Sequence, residues 1–327
     1  MLEKLDAKTN LIYSPVRQDL AKVEASLRDL SKDGGDNLSN LLDYLFDRGG
    51  KVLRPAVTLL ASKIHSDDSS KAIIMATAVE LLHIATLIHD DTVDNSALRR
   101  GKETISNRWG QNVAILLGDY VFATSATFVC DTDNIRVIRR FSETIMELSS
   151  GQLMEYCNSY NWKVDRKIYE ERIYRKTASL FKTAAESGAI LSGAPEVAVQ
   201  ALSSFGYNIG MAFQIIDDIL DVQGNVDEIG KPVGNDLLQG VLTLPTIMLL
   251  ERQSKDNPIK DLFANPGRNR HLDEALDMIQ NSNIVNECYA EAEDYCNKAK
   301  EAISILPESP ALNSLQTLAS YVTERRK

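Results

Sequence analysis

The sequence predicts an all-α fold, and three observations carry this prediction. Apolar residues recur at every third or fourth position over long segments, as between Val16 and Leu30, and this is the period of one helix face. No segment of alternating apolar and polar residues competes with these helices as a β-strand. A composition of 44% hydrophobic and 25% charged residues over 327 positions is typical of a globular protein.

Taken in order, the predicted helices are separated by short breaks. They are expected at residues 16–31, 38–46, from 51 onward after a Gly-Gly pair, through the apolar run 72–88, and at 111–129, 134–161, 166–192, 195–223, 271–280, 285–305 and 309–325. The turn-rich breaks at 188–195 and 224–234 do not resemble flexible linkers between domains. We therefore expect a single domain that spans residues 1–327.

The charge balance and the N-terminus argue against several function classes. Acidic residues exceed basic ones by 46 to 36, a formal net charge of −10, which argues against a nucleic-acid partner. The first residues lack the regions of a signal peptide, and the four cysteines lack CxxC spacing, so we expect a cytoplasmic protein with reduced thiols. Glu80 and His83 interrupt the apolar run 72–88, which predicts a buried core helix rather than a membrane span.

Two sets of carboxylates stand out along the chain. They are Asp90, Asp91 and Asp94, directly after the apolar run, and Asp217, Asp218 and Asp221. In a helix the first and third members of each set share one face, and the middle Asp points about 100° away. Like charges at this spacing weaken a helix, so a bound cation is expected. Mg²⁺ is suitable because it takes oxygen ligands and commonly bridges carboxylates to phosphates.

Basic residues near the first set predict a phosphate site. Lys51 and Arg54 lie about one turn apart at a helix start, where free N–H groups and two preceding glycines favour anions. Residues 98–102 follow the first aspartate set and contain Arg99 and Arg100. A solvated basic turn and a surface ion-pair network are the plainer interpretations, whereas a diphosphate with its own metal explains both groups together.

Two polar residues lie on the carboxylate faces of otherwise apolar helices. His83 stands two turns before Asp90. Gln214 stands about one turn before Asp217. Each is interpretable as a satisfied core residue or as a ligand contact. Six aspartates on helices that face each other would repel strongly in an apolar cavity without metal ions.

Taken as an ordered set, these motifs resemble those of the trans-polyprenyl diphosphate synthase family, which elongates isoprenoid chains. The resemblance covers most of the chain and rests on residues 49–55, His83 with 90–94, residues 99–102, 176–178, Gln214 with 217–221, and 230–231. It implies an all-α fold of about a dozen helices around a deep central cavity, usually in a homodimer. It also implies an enzyme that joins isopentenyl diphosphate to an allylic diphosphate by ionisation, condensation and elimination.

The resemblance implies a role for each matching residue of this sequence. The ligands of more than one Mg²⁺ would be Asp90, Asp91, Asp94, Asp217, Asp218 and Asp221. The allylic diphosphate would be bound by Arg99, Lys176 and Lys231, and isopentenyl diphosphate by Lys51, Arg54, His83 and Arg100. The residues that join the aspartates in catalysis would be Lys176, Thr177 and Gln214, with Thr177 helping to shield the allylic cation.

Two positions depart from the family pattern, and other function classes stay open. Val241 stands where the family often has Lys, and Asn235 stands where it has an acid. A class I terpene cyclase shares the first aspartate motif but typically has Asn, Ser or Thr, and Glu in the second. A non-catalytic subunit of a heteromeric prenyl synthase typically has eroded aspartate motifs. A metal-stabilised helical scaffold would leave the basic residues unexplained.

Residues just before the first aspartate set predict the length of the product. Positions four and five before Asp90 lie about one helical turn inside the mouth of the implied cavity. They are Thr86 and Ala85, and small residues there, in this family, leave the tunnel open. We therefore expect a medium- or long-chain product of more than about fifteen carbons, such as a quinone side-chain precursor. Phe122 and Phe128 are candidate floor residues.

Overall fold

In the computed structural model the chain is almost entirely helical. The structure describes residues 6–32, 35–47, 51–223, 233–253, 255–264 and 269–324. The α-helices are α1 Ala7–Ile12, α2 Arg17–Asp29, α3 Gly35–Phe46, α4 Leu53–Lys63, α5 Ser70–Val93, α6 Ile105–Trp109, α7 Gln111–Cys130, α8 Ile135–Cys157, α9 Arg166–Ile173, α10 Ser179–Leu191, α11 Glu196–Gln223, α12 Asn235–Leu238, α13 Leu244–Arg252, α14 Pro258–Ala264, α15 Asn269–Gln280, α16 Ile284–Ala302 and α17 Pro310–Glu324. The all-α prediction is confirmed.

Shorter elements connect some of these helices. A 3₁₀ helix covers Ser14–Val16, and a π-helical turn covers Tyr174–Ala178. Two-residue strands, β1 at Leu98–Arg99 and β2 at Lys102–Glu103, pair as an antiparallel hairpin. The hairpin and helices α1, α6, α12, α13 and α14 lie where no regular structure was expected, because each is too short to show three turns of apolar periodicity.

The chain forms two compact units, each assembled from separate segments. The first unit comprises residues 1–142, 180–203 and 303–318, and the second comprises residues 143–179, 204–302 and 319–327. The first aspartate set belongs to the first unit and the second set to the second unit. The single domain expected over the whole chain remains a prediction.

The core of the first unit is organised around α5. Ala76, Val79 and Leu81 are fully buried on this helix, which packs against α2, α4 and α7. Burial on several sides explains why α5 is apolar nearly all round, and the buried core helix predicted at 72–88 is confirmed. Glu80 is also buried there, and burial raises its pKa against the opposing effect of Arg54.

Two of the described helices, α5 and α7, are long and apolar enough to cross a membrane by length and composition. The apolar stretch of α5 is 61% buried, as in a core helix, whereas that of α7 is only 33% buried. On α7 the side chains of Ile115, Leu116 and Tyr120 are 46%, 69% and 40% exposed. This helix therefore presents an exposed apolar face.

In the second unit α11 is extensively buried from residue 204 onward. Phe205, Ile209, Ile216 and Ile219 are fully buried there. Helix α13 packs against α9, α15 and α16, and α14 packs against α15. These contacts anchor α9, which carries residues of the second aspartate site.

Candidate active site

The first aspartate set lies at the C-terminal end of α5. Asp90 and Asp91 belong to its last turn, and Asp94 is its C-cap, with its N–H bonded to the Asp90 carbonyl at 2.8 Å. Asp90 and Asp94 are half-buried, whereas Asp91 is 3% exposed. The helical spacing therefore turns the middle carboxylate into the protein and leaves the outer two on one face.

Arg99 forms an ion pair with Asp91. Its Nε donates to Asp91 Oδ1 at 2.7 Å, and both side chains are at least three-quarters buried. Arg100 and Gly101 turn the hairpin with φ of 53° and 73°, which are the signs that a type I′ turn requires. The hairpin thus places Arg99 against the aspartate set and Arg100 at its exposed tip.

A close contact between α5 and α7 lies directly beside this set. A Cβ atom at Gly118 would lie 2.3 Å from His89 Nε2, so the imidazole occupies the space that a side chain would need. The same Nε2 is 3.5 Å from Asp119 Oδ1. Because His89 directly precedes Asp90, this contact limits how far the carboxylates can turn.

Helices α4 and α5 bring together two residues predicted to bind substrate. Arg54 Nη1 is 3.2 Å from His83 Nε2, and the Arg54 guanidinium lies 4.4 Å from the centre of the Phe181 ring. Burial, followed by the positive charges of Arg54 and Arg100, holds the pKa of His83 well below its usual range. The imidazole is therefore neutral at physiological pH and accepts from Arg54 at Nε2. Lys51 is exposed just before α4.

The residues predicted to set chain length lie on α5, one turn before the aspartates. Ala85 is 1% exposed, and Thr86 is half-buried with its hydroxyl donating to the His83 carbonyl at 2.7 Å. Phe122 and Phe128 are half-buried on α7, which packs against α5. Their roles in chain length remain predictions.

The second aspartate set lies on α11, where hydrogen bonds fix its middle member. Asp218 is 2% exposed. Gln214 Nε2 donates to its Oδ1 at 2.8 Å, and Tyr169 OH donates to its Oδ2 at 2.7 Å. Thr177 Oγ1 in turn donates to Gln214 Oε1 at 2.6 Å. Three predicted residues, Thr177, Gln214 and Asp218, therefore belong to one continuous network.

Several carboxyl groups are crowded together at the second set, largely out of contact with solvent. Asp221 accepts from the backbone N–H groups of Asn235 and Asp236 at 3.2 Å each, at the start of α12. Burial, together with the charge of Asp236, raises the pKa of Asp218 to about 7 and that of Asp221 to about 8. Asp217 is half-buried. A bound cation would favour the carboxylate form of such crowded acids.

Lys176 and Thr177 belong to the π-helical turn, where one continuous helix over 166–192 was expected. A π turn inserts one residue into a helix and so rotates the helix on one side of it relative to the helix on the other, and such turns are frequent at functional sites. Helix α11 approaches so closely that a Cβ atom at Gly210 would lie 2.4 Å from Ala178 Cα. On the other side, Lys176 Nζ donates to Glu155 Oε1 at 2.5 Å.

Three residues that were not predicted also contact this network: Tyr169, Arg172 and Glu155. Arg172 is 5% exposed, and its Nη2 donates to the Leu242 carbonyl at 2.7 Å. Its Nε lies 3.8 Å from Glu155 Oε2, so Glu155 links Arg172 to Lys176. The spacing of 169, 172 and 176 was a signal that they share a helix face. Their partners on α11 and before α13 lie 49 and 70 residues away, which periodicity does not reveal.

The structure describes only some of the remaining predicted positions. Lys231 lies outside the described residues, as do residues 49–50. The two departures from the family pattern lie in one turn: Asn235 N–H bonds to Asp221, and Val241 N–H bonds to the Asp236 carbonyl at 2.8 Å.

The carboxylates fit a metal ion that arrives with a phosphate ligand. Among the described residues, no three His, Cys, Asp or Glu side chains converge on one metal position. Mg²⁺ usually binds one or two carboxylates and completes its shell with water and phosphate oxygens. Each aspartate set by itself therefore suits Mg²⁺ bound with diphosphate better than it suits a preformed protein cage.

The chain is similar to known proteins over nearly its whole length. A sequence model of the family described as polyprenyl synthetase matches residues 36–279. Heptaprenyl diphosphate synthase component 2 of Bacillus subtilis (strain 168) is 35% identical over 321 residues, which is 98% of this chain and 92% of the relative.

Solved structures share the fold. Decaprenyl diphosphate synthase from Rhodobacter capsulatus has a TM-score of 0.91 at 32% identity, covering 98% of this chain and 99% of that one. Polyprenyl synthase from Caulobacter crescentus CB15, complexed with calcium and isoprenyl diphosphate, has a TM-score of 0.92 at 29% identity, covering 98% of both chains.

Proposed function

The chain belongs to the polyprenyl synthetase family and is a prenyltransferase, and we propose that it adds isopentenyl diphosphate units to an allylic diphosphate. The product would be a medium- or long-chain all-trans polyprenyl diphosphate. The observation that carries this proposal is the crowding of the carboxyl groups of Asp218, Asp221 and Asp236, which favours a bound cation.

The metal in this proposal is Mg²⁺, in more than one copy, bound together with the allylic diphosphate. When bound, it would neutralise the charge of the leaving diphosphate. The residues that hold it are Asp90, Asp91, Asp94, Asp217, Asp218 and Asp221. Arg99 orients Asp91, and Gln214 and Tyr169 orient Asp218.

The protein residues bind and orient the two substrates and shield the allylic cation, and none acts as a nucleophile. The allylic C–O bond breaks with its electron pair leaving on the diphosphate, the isopentenyl double bond attacks the allylic carbon, and the released diphosphate takes the proton that restores a double bond. Arg99, Lys176 and Lys231 bind the allylic diphosphate. Lys51, Arg54, neutral His83 and Arg100 bind isopentenyl diphosphate. Thr177 and Gln214 lie next to the allylic cation and also orient Asp218.

Incubation of the purified chain with isopentenyl diphosphate, farnesyl diphosphate and Mg²⁺ tests this function. Mass spectrometry should show elongated polyprenyl diphosphates, with one diphosphate released for each unit added. Absence of both elongation and diphosphate release would contradict the proposal.

A second candidate function is supported by one comparison. The Bacillus subtilis relative is named as component 2 of a heptaprenyl diphosphate synthase, which favours a subunit that needs a partner. Elongation that appears only after a second protein is added would favour this interpretation. Diphosphate release without elongation would instead favour a terpene cyclase.

The proposed product length depends on the part of α5 that carries Ala85 and Thr86, called here the α5 wall. Replacing Ala85 by Phe should shorten the product. An aromatic ring one turn before Asp90 would block the tail at the mouth. Because Ala85 is 1% exposed, overpacking is also expected to cost about 1–3 kcal/mol. Thr86→Phe, at a half-buried position, is the gentler second variant. Product distributions by mass spectrometry are the measurement, with Ala85→Ser as control, and an unchanged distribution in both Phe variants would exclude the wall.

We also propose that the chain acts as one domain, in the cytoplasm, as a homodimer. Support for the dimer comes from the apolar face of α7, formed by Ile115, Leu116 and Tyr120. A face of this kind is covered in most soluble proteins by a partner.

Replacing Leu116 by Glu should therefore favour the monomer. A charge at the centre of an apolar interface costs several kcal/mol when it is buried unpaired, so dissociation should increase at least about a hundredfold. Sedimentation velocity measures the effect. Val197→Glu, a matched change at another exposed apolar position, should leave the assembly unchanged. A Leu116→Glu chain that sediments like the wild type would argue against this face.

A further inference from the structure

Val52 adopts a backbone conformation that is unfavourable for its residue type. Its φ of 43° and ψ of 39° lie in the left-handed region, where a β-branched side chain is strained. The other non-glycine residues with positive φ in the described part of the chain are Asn95, Arg100, Asp133, Tyr160 and Asp256, and none of these is β-branched. Strained residues persist only where the surrounding structure holds them, and they concentrate at binding sites.

A buried tyrosine holds this strained turn. Tyr13 is 2% exposed, and its OH donates to the Lys51 carbonyl at 2.7 Å. The Val52 carbonyl accepts from Ala56 N–H at 3.0 Å and so begins α4. The peptide between Lys51 and Val52 includes the Lys51 carbonyl. Rotation of that peptide would relax Val52 but would break the bond to Tyr13.

Local structure also fixes Tyr13. It is the C-cap of α1, and its N–H bonds to the Thr9 carbonyl at 3.0 Å. Asp6 caps the start of the same helix by accepting from Thr9 N–H at 2.8 Å. The 3₁₀ helix that follows Tyr13 packs against α4. The hydroxyl is therefore presented to Lys51 from a rigid segment.

We infer that Tyr13 is a positioning residue for isopentenyl diphosphate, acting through the backbone of Lys51. The inference rests on the proposed function, in which Lys51 binds this diphosphate. The Tyr13 bond holds the strained peptide in the orientation that aims Lys51, whose side chain is exposed. Arg54 is held separately by His83 and Phe181, so the effect should be confined to Lys51.

The test is the steady-state kinetics of Tyr13→Phe. We expect KM for isopentenyl diphosphate to rise about fivefold, the factor that one lost hydrogen bond explains. Both kcat and KM for the allylic diphosphate should stay within about twofold of wild type, a split that general destabilisation would not produce. In Tyr13→Phe/Lys51→Ala, KM should be no higher than in Lys51→Ala alone, because both changes remove one interaction.

Tyr160→Phe is the matched control. Its hydroxyl also donates to a backbone carbonyl, that of Leu238 in the second unit at 3.0 Å, and KM for isopentenyl diphosphate should not change. The inference is overturned if Tyr13→Phe leaves KM for isopentenyl diphosphate unchanged, raises both KM values together, or multiplies the effect of Lys51→Ala.

Calorimetry with inorganic diphosphate separates this inference from the proposed function. Without Mg²⁺, which the proposed function places with the allylic diphosphate, Tyr13→Phe should bind inorganic diphosphate about fivefold more weakly than wild type, and equal affinity overturns the inference without turnover being needed. A wild-type chain that binds diphosphate but elongates no allylic substrate overturns the proposed function alone. A wild-type chain that binds no diphosphate overturns both.

Discussion

Replacing Gly210 by Ala is expected to destabilise the protein and to lower kcat by about a hundredfold, as a shift of about 1 Å at a catalytic residue can do. In an ordinary helix interior the same change stabilises by about 1 kcal/mol, because alanine is the better helix former. Here the new Cβ would lie 2.4 Å from Ala178 Cα. The sign of the effect therefore tests the packing directly.

The expected loss follows from the position of Ala178 in the π-helical turn. Backbone cannot be displaced as cheaply as the end of a flexible side chain, so α11 and the turn must separate. Lys176 and Thr177 would move with the turn, and the Thr177 bond to Gln214 at 2.6 Å would lengthen. Overpacking of this kind typically costs about 1–3 kcal/mol.

Thermal unfolding and single-turnover kinetics measure the two effects. Ser204→Ala is the control, because Ser204 is exposed on the same helix and the change also raises helix propensity, by less than Gly→Ala, without a clash. A Gly210→Ala chain with raised Tm and normal kcat would show that the close approach is not required.

The helices could be predicted from the sequence because their periodicity is local. The starts of α7, α8, α11 and α16 are at or within one residue of the predicted positions. The π-helical turn could not be predicted, since the apolar pattern continues through 166–192. The close approach of Gly210 on α11 is a contact between distant parts of the chain.

In the candidate site, too, some features could be predicted from the sequence and others could not. Residue types and spacing selected Asp218 and Gln214, and the family resemblance added Thr177; the structure joins the three by hydrogen bonds. Tyr169 was missed because a tyrosine in an amphipathic helix is usually a core residue. Its chemical role comes from a carboxylate 49 positions away. Arg99 was predicted as a ligand of the allylic diphosphate, and its ion pair with Asp91 depends on a hairpin that the sequence pattern did not suggest.

Asp218 and Asp221 are expected to make a contribution to the stability of the ligand-free protein that is lost as the pH rises from about 4 to 8, against the opposite contribution of His83. Asp218 and Asp221 have folded-state pKa values of about 7 and about 8, whereas the unfolded value is about 3.9. Between these limits the two carboxyl groups bind more protons in the folded state than in the unfolded state, so their contribution to the free energy of unfolding falls with pH. The fall should level off above about pH 8, where both carboxyl groups are ionised in the folded and the unfolded state. Urea unfolding at fixed ionic strength measures it.

Asp236→Asn is the variant that isolates the cause. After burial, the negative charge of Asp236 is the next largest cause of the raised pKa values of Asp218 and Asp221. Asn keeps the backbone N–H that bonds to Asp221. The variant should therefore be more stable than wild type at pH 8 and equally stable near pH 4. A pH dependence identical to that of wild type would show that Asp236 does not interact with the set.

Mg²⁺ should restore the stability that is lost at high pH only when diphosphate is present. No three protein ligands converge on one metal position among the described residues, so millimolar Mg²⁺ alone should leave Tm nearly unchanged. With diphosphate, the ion completes its shell and binds the ionised carboxylates, which stabilises the folded state by mass action. Because protons compete for the same oxygens, the rise in Tm should be larger at pH 8 than at pH 6. An equal rise with Mg²⁺ alone would indicate a preformed metal site and would contradict a metal that enters with the substrate.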